Sequence, residues 1–207
     1  DQQDAIRNKN VAQLTYKSDY QFAKAPNPPK VTAVPGDGKV TLYWDRSAES
    51  TQDKYMGNIT NGADLYDFEG YKIYRATDFE FNDAYNITDG DGNPTFLEPY
   101  VQNGVRAQWD LVDGKSGWHP VDLNGIKFYL GDDTGLTHSY VDHNVVNGQR
   151  YYYAVVSYDY GGDLSNNIIP SDSPMKLRVN PLTGAVSLGP NVVEVVPSPP
   201  SAGFVDA

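Results

Sequence analysis

Beyond the prolines at Pro26, Pro28 and Pro29, apolar residues recur along the chain with a period of two, the mark of strands that bury alternate side chains. In "VTAVPGDGKVTLYWD" two extended runs flank a Gly-Asp-Gly turn, and Val40, Leu42 and Trp44 alternate with Thr41, Tyr43 and Asp45, which predicts a hairpin. After a polar stretch from Arg46 to Asp67, "FEGYKIYRATD" sets Tyr71 and Ile73 on one face and Lys72 and Tyr74 on the other, a third strand. In "NGQRYYYAVVSYDYGG" the residues Tyr151, Tyr153 and Val155 share one face while Tyr152, Ala154 and Val156 share the other. Both faces are apolar, so the tyrosine run reads as a central strand, a packing feature and not a reactive one. "SPMKLRVNP" alternates through Met175, Leu177 and Val179 and predicts the strand that closes the sheet. Ahead of all this, "DQQDAIRNKNVAQLTYKSDYQFAKA" offers Asp4 as a cap and Ile6, Val11 and Leu14 on a loose helical face. A short amphipathic helix is expected there, stopped by "PNPPK".

Composition narrows the function classes. With 207 residues the chain is long enough to bury a sizeable core, and 16 tyrosines against 7 phenylalanines suit half-buried sheet surface. A net charge of −11 and a pI near 4.5 oppose a phosphate backbone or an anionic lipid surface, so neither nucleic acid nor membrane insertion is expected. There is no cysteine, which excludes disulfides, thiolate metal sites and cysteine nucleophiles. No run of about twenty apolar residues is present. The first residue is Asp1, which fits a mature product or an excerpt of something longer.

The order of "PPKVTAV", "GKVTLYWD" with Trp44, "YKIYRATD", "SYVDHNVVNGQRYYYAVVSYD" and "SDSPMKLRV" resembles a fibronectin type III domain, of the kind found in long secreted or cell-surface bacterial proteins. The likeness runs over Pro28 to Asp45, Phe68 to Asp78 and Ser139 to Asn180. It implies an immunoglobulin-like β-sandwich in which Tyr151 forms the tyrosine corner, its hydroxyl bonded to backbone near the preceding turn. It departs from the family at residues 79–137, where a short turn is usual, and one or two extra hairpins packed on the sandwich are expected there. The expected organisation is a helical or linker segment at 1–27, the all-β sandwich at 28–180 and an extended tail at 181–207. In that tail Val192 to Val196 should add to a sheet edge, with Phe204 and Val205 docking on this domain or on a neighbouring subunit or module.

Candidate chemistry is sparse. "DGDGN" presents Asp89, Asp91 and Asn93 at alternate positions, as calcium loops present oxygen ligands, and Asp132 and Asp133 in "GDDTG" could complete such a site. The bidentate glutamate of an EF-hand is missing, and the alternative is an ordinary turn rich in Asp, Gly and Asn. His138 and His143 flank Asp142, but on a strand they point to opposite faces, and His119 lies far off in the sequence. Asp110 and Asp113 would make a hydrolytic pair only if they converged in a cleft. Phe96, Tyr100, Trp109 and Trp118 form either a platform for sugar rings or the inserted segment's own core. Asn58-Ile59-Thr60 and Asn86-Ile87-Thr88 match glycosylation acceptors. The expectation is a non-enzymatic structural or interaction module of an extracellular or cell-surface assembly, partnered by neighbouring domains or identical subunits through its tail. The alternative is a carbohydrate-binding accessory domain of a secreted polysaccharide-degrading enzyme.

Overall fold

The computed structural model describes residue 9 and residues 22–88, 92–123 and 126–199. The expected N-terminal helix falls, apart from Lys9, outside the described residues, as do Phe204 and Val205. In chain order the strands are β1 (Val31–Gly36), β2 (Lys39–Trp44), β3 (Phe68–Ala76), β4 (Ile87–Thr88), β5 (Pro94–Phe96), β6 (Val101–Gln102), β7 (Val105–Arg106) and β8 (Gln108–Asp110). There follow β9 (Trp118–Leu123), β10 (Ile126–Tyr129), β11 (Ser139–Asp142), β12 (Tyr151–Asp159), β13 (Leu177–Val179), β14 (Val186–Leu188) and β15 (Val192–Val195). The protein is all-β, built from several antiparallel sheets, with one short helix, α1 (Lys54–Ile59), among the described residues.

Two sheets carry the main core. The predicted hairpin forms β1 and β2 around Asp37-Gly38, where Gly38 takes a φ of 58°, and β11 pairs with the far edge of β2. The second sheet has the order β15-β12-β3-β8. Trp44, Leu42, Tyr71, Ile73, Tyr153 and Val155 meet in one buried cluster, so the faces read from the alternation in β2, β3 and β12 point at one another as expected. Trp44 is edge-on to Tyr71 at 5.8 Å between ring centroids. The hydroxyl of Tyr151 accepts the backbone N–H of Val146 at 3.0 Å, in the turn before β12.

The other face of β12 and β3 is covered too. Tyr152, Ala154, Val156, Tyr74 and Ala76 form a second cluster with Phe81 and Ala84, and Met175, Leu177 and Leu188 lie against it. All nine residues of β12 are therefore buried, which is why the strand is apolar in both registers.

Two expectations change, and a third feature is new. The segment expected to close the sheet, around Met175, Leu177 and Val179, instead forms β13, which pairs with β14 in a separate hairpin on the outer face. The closing place belongs to β15, whose Val192, Val193, Glu194 and Val195 face Ala154, Tyr153, Tyr152 and Tyr151. An edge offers one set of backbone groups to one partner, and β15 buries Val192 and Val195 where β13 leaves Arg178 and Val179 exposed. Second, residues 79–137 contribute three hairpins among the described residues, β4-β5, β6-β7 and β9-β10, and also β8, which extends the main sheet beside β3. Third, the polar stretch 46–67 holds α1, where Asp53 caps the helix by accepting the Met56 N–H at 2.9 Å and Tyr55 and Met56 turn inward. The signal was an Asp directly before Lys54-Tyr55-Met56, too short a run to show helical periodicity.

Candidate functional site

Alternation along β3 decides what lies at the base of a large concavity on the outer face of the β15-β12-β3-β8 sheet. With Tyr71 and Ile73 directed to the core, Lys72 and Tyr74 point to the outer face of the sheet. Beside them β8 sets Gln108, whose amide donates to the carbonyls of Tyr129 and Leu130 and so ties β10 over the sheet. Phe96, Trp118, Phe128 and Tyr129 rise as walls, and Asp172 comes from the segment after β12. The groove encloses about 680 Å³, within the range of roughly 300–1,000 Å³ usual for ligand sites.

Its polar groups are tightly paired. Lys72 Nζ lies 3.1 Å from Asp172 Oδ1 and 3.4 Å from the centre of the Phe128 ring. The Tyr74 hydroxyl donates to Asp172 Oδ2 at 2.9 Å. Burial lowers the Lys72 pKa while Asp172 pulls it back, and burial followed by Asp172 raises that of Tyr74. Arg106 stands over Tyr129 at 5.1 Å, and Trp118 meets Tyr129 edge-on at 5.0 Å. Chemically this is an aromatic-walled surface with a carboxylate acceptor at its base and a guanidinium donor at its rim.

The predicted site residues are distributed differently. Asp89 and Asp91 lie outside the described residues, and Asn93 is exposed. Asp132 is exposed and accepts the Tyr129 hydroxyl, whereas Asp133 accepts the N–H groups of Asp113 and Gly114 at 3.1 and 2.8 Å. Asp110 is fully buried and receives Asp133 N, Thr134 N and Thr134 Oγ1 at 2.6 to 2.8 Å. It braces the loop at Gly131, where a Cβ would collide with the Asp110 carboxyl. Among the described residues no group of three or more His, Cys, Asp or Glu is arranged to hold a metal ion.

The histidines separate, as strand geometry requires. His138 Nε2 contacts Glu49 at 2.6 Å, His119 is buried with Nε2 2.7 Å from the Gly162 carbonyl, and His143 is exposed. Asp142 is instead a buried hub: it accepts Arg75 Nη1 at 2.9 Å, the Tyr153 hydroxyl at 2.7 Å, the Tyr100 hydroxyl at 3.2 Å and the Asn144 N–H at 2.8 Å. Of the four inserted aromatics, Trp109 and Tyr100 lie against the main core, Phe96 is half-buried in the groove, and Trp118 is 58% exposed at its mouth. The acceptor asparagines Asn58 and Asn86 are both exposed.

A second acidic feature escaped the sequence reading because it is assembled from distant segments. Burial pushes Asp67 up to about 8, helped by Asp159 and Asp53, and pushes Glu69 up to about 8, helped by Asp113. Burial raises Asp159 to about 7 against the lowering bonds from Ser171. Unfolded, all three titrate near pH 4, so between about pH 4 and 8 the folded chain holds protons that the unfolded chain has lost. Their stabilisation is complete below about pH 4 and is lost as pH rises through the folded values. Lys72 acts oppositely, but in the window between its lowered pKa and the ordinary lysine value. The melting temperature is expected to be several degrees higher at pH 5.5 than at pH 8; calorimetry showing it constant or rising over that interval would contradict the assignment.

No helix among the described residues is long and apolar enough to cross a membrane. No family model matches the chain, and no curated protein matches it. Among solved structures it is similar to a crystal structure of a β-1,2-glucanase from Parabacteroides distasonis, with 15% identity and a TM-score of 0.32 over 87% of this chain. The matched region is 14% of that chain's length.

Proposed function

We propose that the chain is a fibronectin type III-like sandwich module, non-enzymatic, that joins neighbouring domains and holds them apart in an extracellular or cell-surface assembly. The observation that carries this reading is where the backbone arrives at the core and where it leaves. Before β1, the Asn27 carbonyl accepts the Ser157 hydroxyl at 2.9 Å, and Val31 N donates to the Pro190 carbonyl at 2.9 Å, near the last residues of β12. After β15, the Pro197 carbonyl accepts Gly148 N at 2.8 Å, beside the turn that precedes β12. Asn147 in that turn bonds Asp37 and Gly38, at the far end of β1. Segments attached before Asn27 and after Pro197 would thus sit at opposite ends of the module, separated by the length of a strand, about 20–30 Å.

The sandwich part of the proposal is supported by the two facing sheets with one shared cluster and by the Tyr151 hydroxyl bond into the preceding turn. The extracellular or cell-surface placement rests on the sequence resemblance. Calcium coordination by Asp89, Asp91 and Asn93 belongs to the same proposal; Asp132 and Asp133 already serve as hydrogen-bond acceptors in their own loop.

A module that transmits tension from end to end should load β15 in shear against β12, all four residue pairs at once. Pulled between residues 24 and 197, single molecules are expected to unfold at a clearly higher force than when pulled between residues 38 and 197, which peels β15 from one end. Equal forces in the two geometries would overturn the spacing role.

A further inference from the structure

The groove on the outer face of the β15-β12-β3-β8 sheet does not enter the spacing role, and the indole of Trp118 and the guanidinium of Arg106 stand exposed at its edge. We propose that it is a carbohydrate-binding site for a stretch of neutral, pyranose-based polysaccharide. Pyranose rings present an apolar C–H face and a rim of hydroxyls that both donate and accept, so a complementary surface needs a flat aromatic face flanked by both kinds of polar group.

The groove supplies each. The Trp118 indole is 58% exposed at its mouth, and Tyr129, edge-on at 5.0 Å, fixes its orientation. An aromatic face held largely in water and braced from one side loses little freedom on covering a ring. At the base, Asp172 accepts from Lys72 and Tyr74, which occupies two of the roughly four acceptor positions of a carboxylate. Its side chain is 31% exposed, so the rest can accept sugar hydroxyls. At the rim the exposed Arg106 guanidinium offers donors beside the Tyr129 ring.

Charge decides between sugar classes. Lys72 is neutralised by Asp172 at 3.1 Å, and a chain of net charge −11 repels a polyanion, so an uncharged glycan fits better than an acidic one. A peptide adding as a strand is disfavoured, because the base of the groove is the face of β3, whose backbone is already paired on both sides by β12 and β8.

The test is native affinity electrophoresis of the full chain in gels containing hydroxyethylcellulose, xylan, glucomannan or polygalacturonate. At least one of the three neutral polymers is expected to retard the protein, and Trp118→Ala to weaken that retardation by about tenfold or more, a loss of about 1.4 kcal/mol. Val112→Ala, at a position 74% exposed and outside the groove, is expected to migrate like the parent. Because Trp118 is exposed, its variant should keep the parent's melting temperature, which separates lost binding from lost folding. Unchanged mobility in all three neutral gels overturns the proposal, as does full retention by Trp118→Ala, or retardation by polygalacturonate alone.

Discussion

Removing residues 190–207 is expected to abolish cooperative folding. The deletion takes away β15, whose two buried side chains serve different clusters: Val195 belongs to the core between the sheets, and Val192 to the cluster on the outer face. Burying a valine is worth about 1.5–3 kcal/mol. The backbone partners lost include Pro190, Asn191 and Pro197, which accept the N–H groups of Val31, Val155 and Gly148. Of these donors Val31 and Val155 are buried, and buried groups left unpaired cost about 1–3 kcal/mol each. The sum is comparable with the whole stability of an ordinary domain, about 5–15 kcal/mol. What remains would also carry β12, buried at all nine positions, as an open sheet edge, so self-association should accompany unfolding. Circular dichroism melts and light-scattering mass test this; a truncated chain that stays monomeric and melts within a few degrees of the parent would show that β15 is an accessory edge.

The second large effect is expected from Asp142→Ala. Asp142 is fully buried and gathers four donors from four places: Arg75 on β3, Tyr100 in the inserted segment, Tyr153 on β12 and the backbone of Asn144. Alanine leaves the Arg75 guanidinium with the Asn144 carbonyl at 2.7 Å as its remaining acceptor and the Tyr153 hydroxyl without the carboxylate it donates to. Breaking a buried pair from one side typically costs about 3–5 kcal/mol, because the surviving charge loses its counter-ion where little water reaches it. Urea denaturation should show a lower midpoint with an unchanged slope. Asp142→Asn should fall between parent and alanine, since an amide oxygen can still accept one hydroxyl but cannot answer the charge. A loss under about 0.5 kcal/mol for the alanine variant would mean that the network is marginal.

These two expectations show where the sequence spoke plainly and where it did not. Tyr153 and Val155 could be set on one face with Tyr71, Ile73 and Trp44 from alternation alone, because a strand points its side chains to opposite sides at every step. The role of Asp142 could not be read, since its donors stand 42 and 67 residues away at Tyr100 and Arg75. The helix α1 passed unseen because six residues make less than two turns, and only its Asp53 cap marks it.

The groove was legible in one respect only. Phe96, Tyr100, Trp109 and Trp118 were marked as a group, but whether an aromatic is core or platform depends on what covers it. Trp109 and Tyr100 are covered by the main core, and Trp118 is not. Alternation sets Lys72 and Tyr74 on the face opposite Tyr71 and Ile73, yet the Asp172 that pairs with both lies 100 and 98 residues further on.

What the sequence by itself determined is therefore the all-β character, the strands β1, β2, β3 and β12, the faces they bury and the strand character of Val192–Val195, all consequences of near-neighbour periodicity. What only the tertiary structure decided is which of two eligible strands closes the sheet, how residues 79–137 roof its outer face, and which acidic and aromatic side chains meet. Both β13 and β15 alternate well enough to be edge strands. The β12 edge accepts one, and the choice falls to the strand whose valines fill two clusters at once, a comparison between distant packings that no local pattern contains.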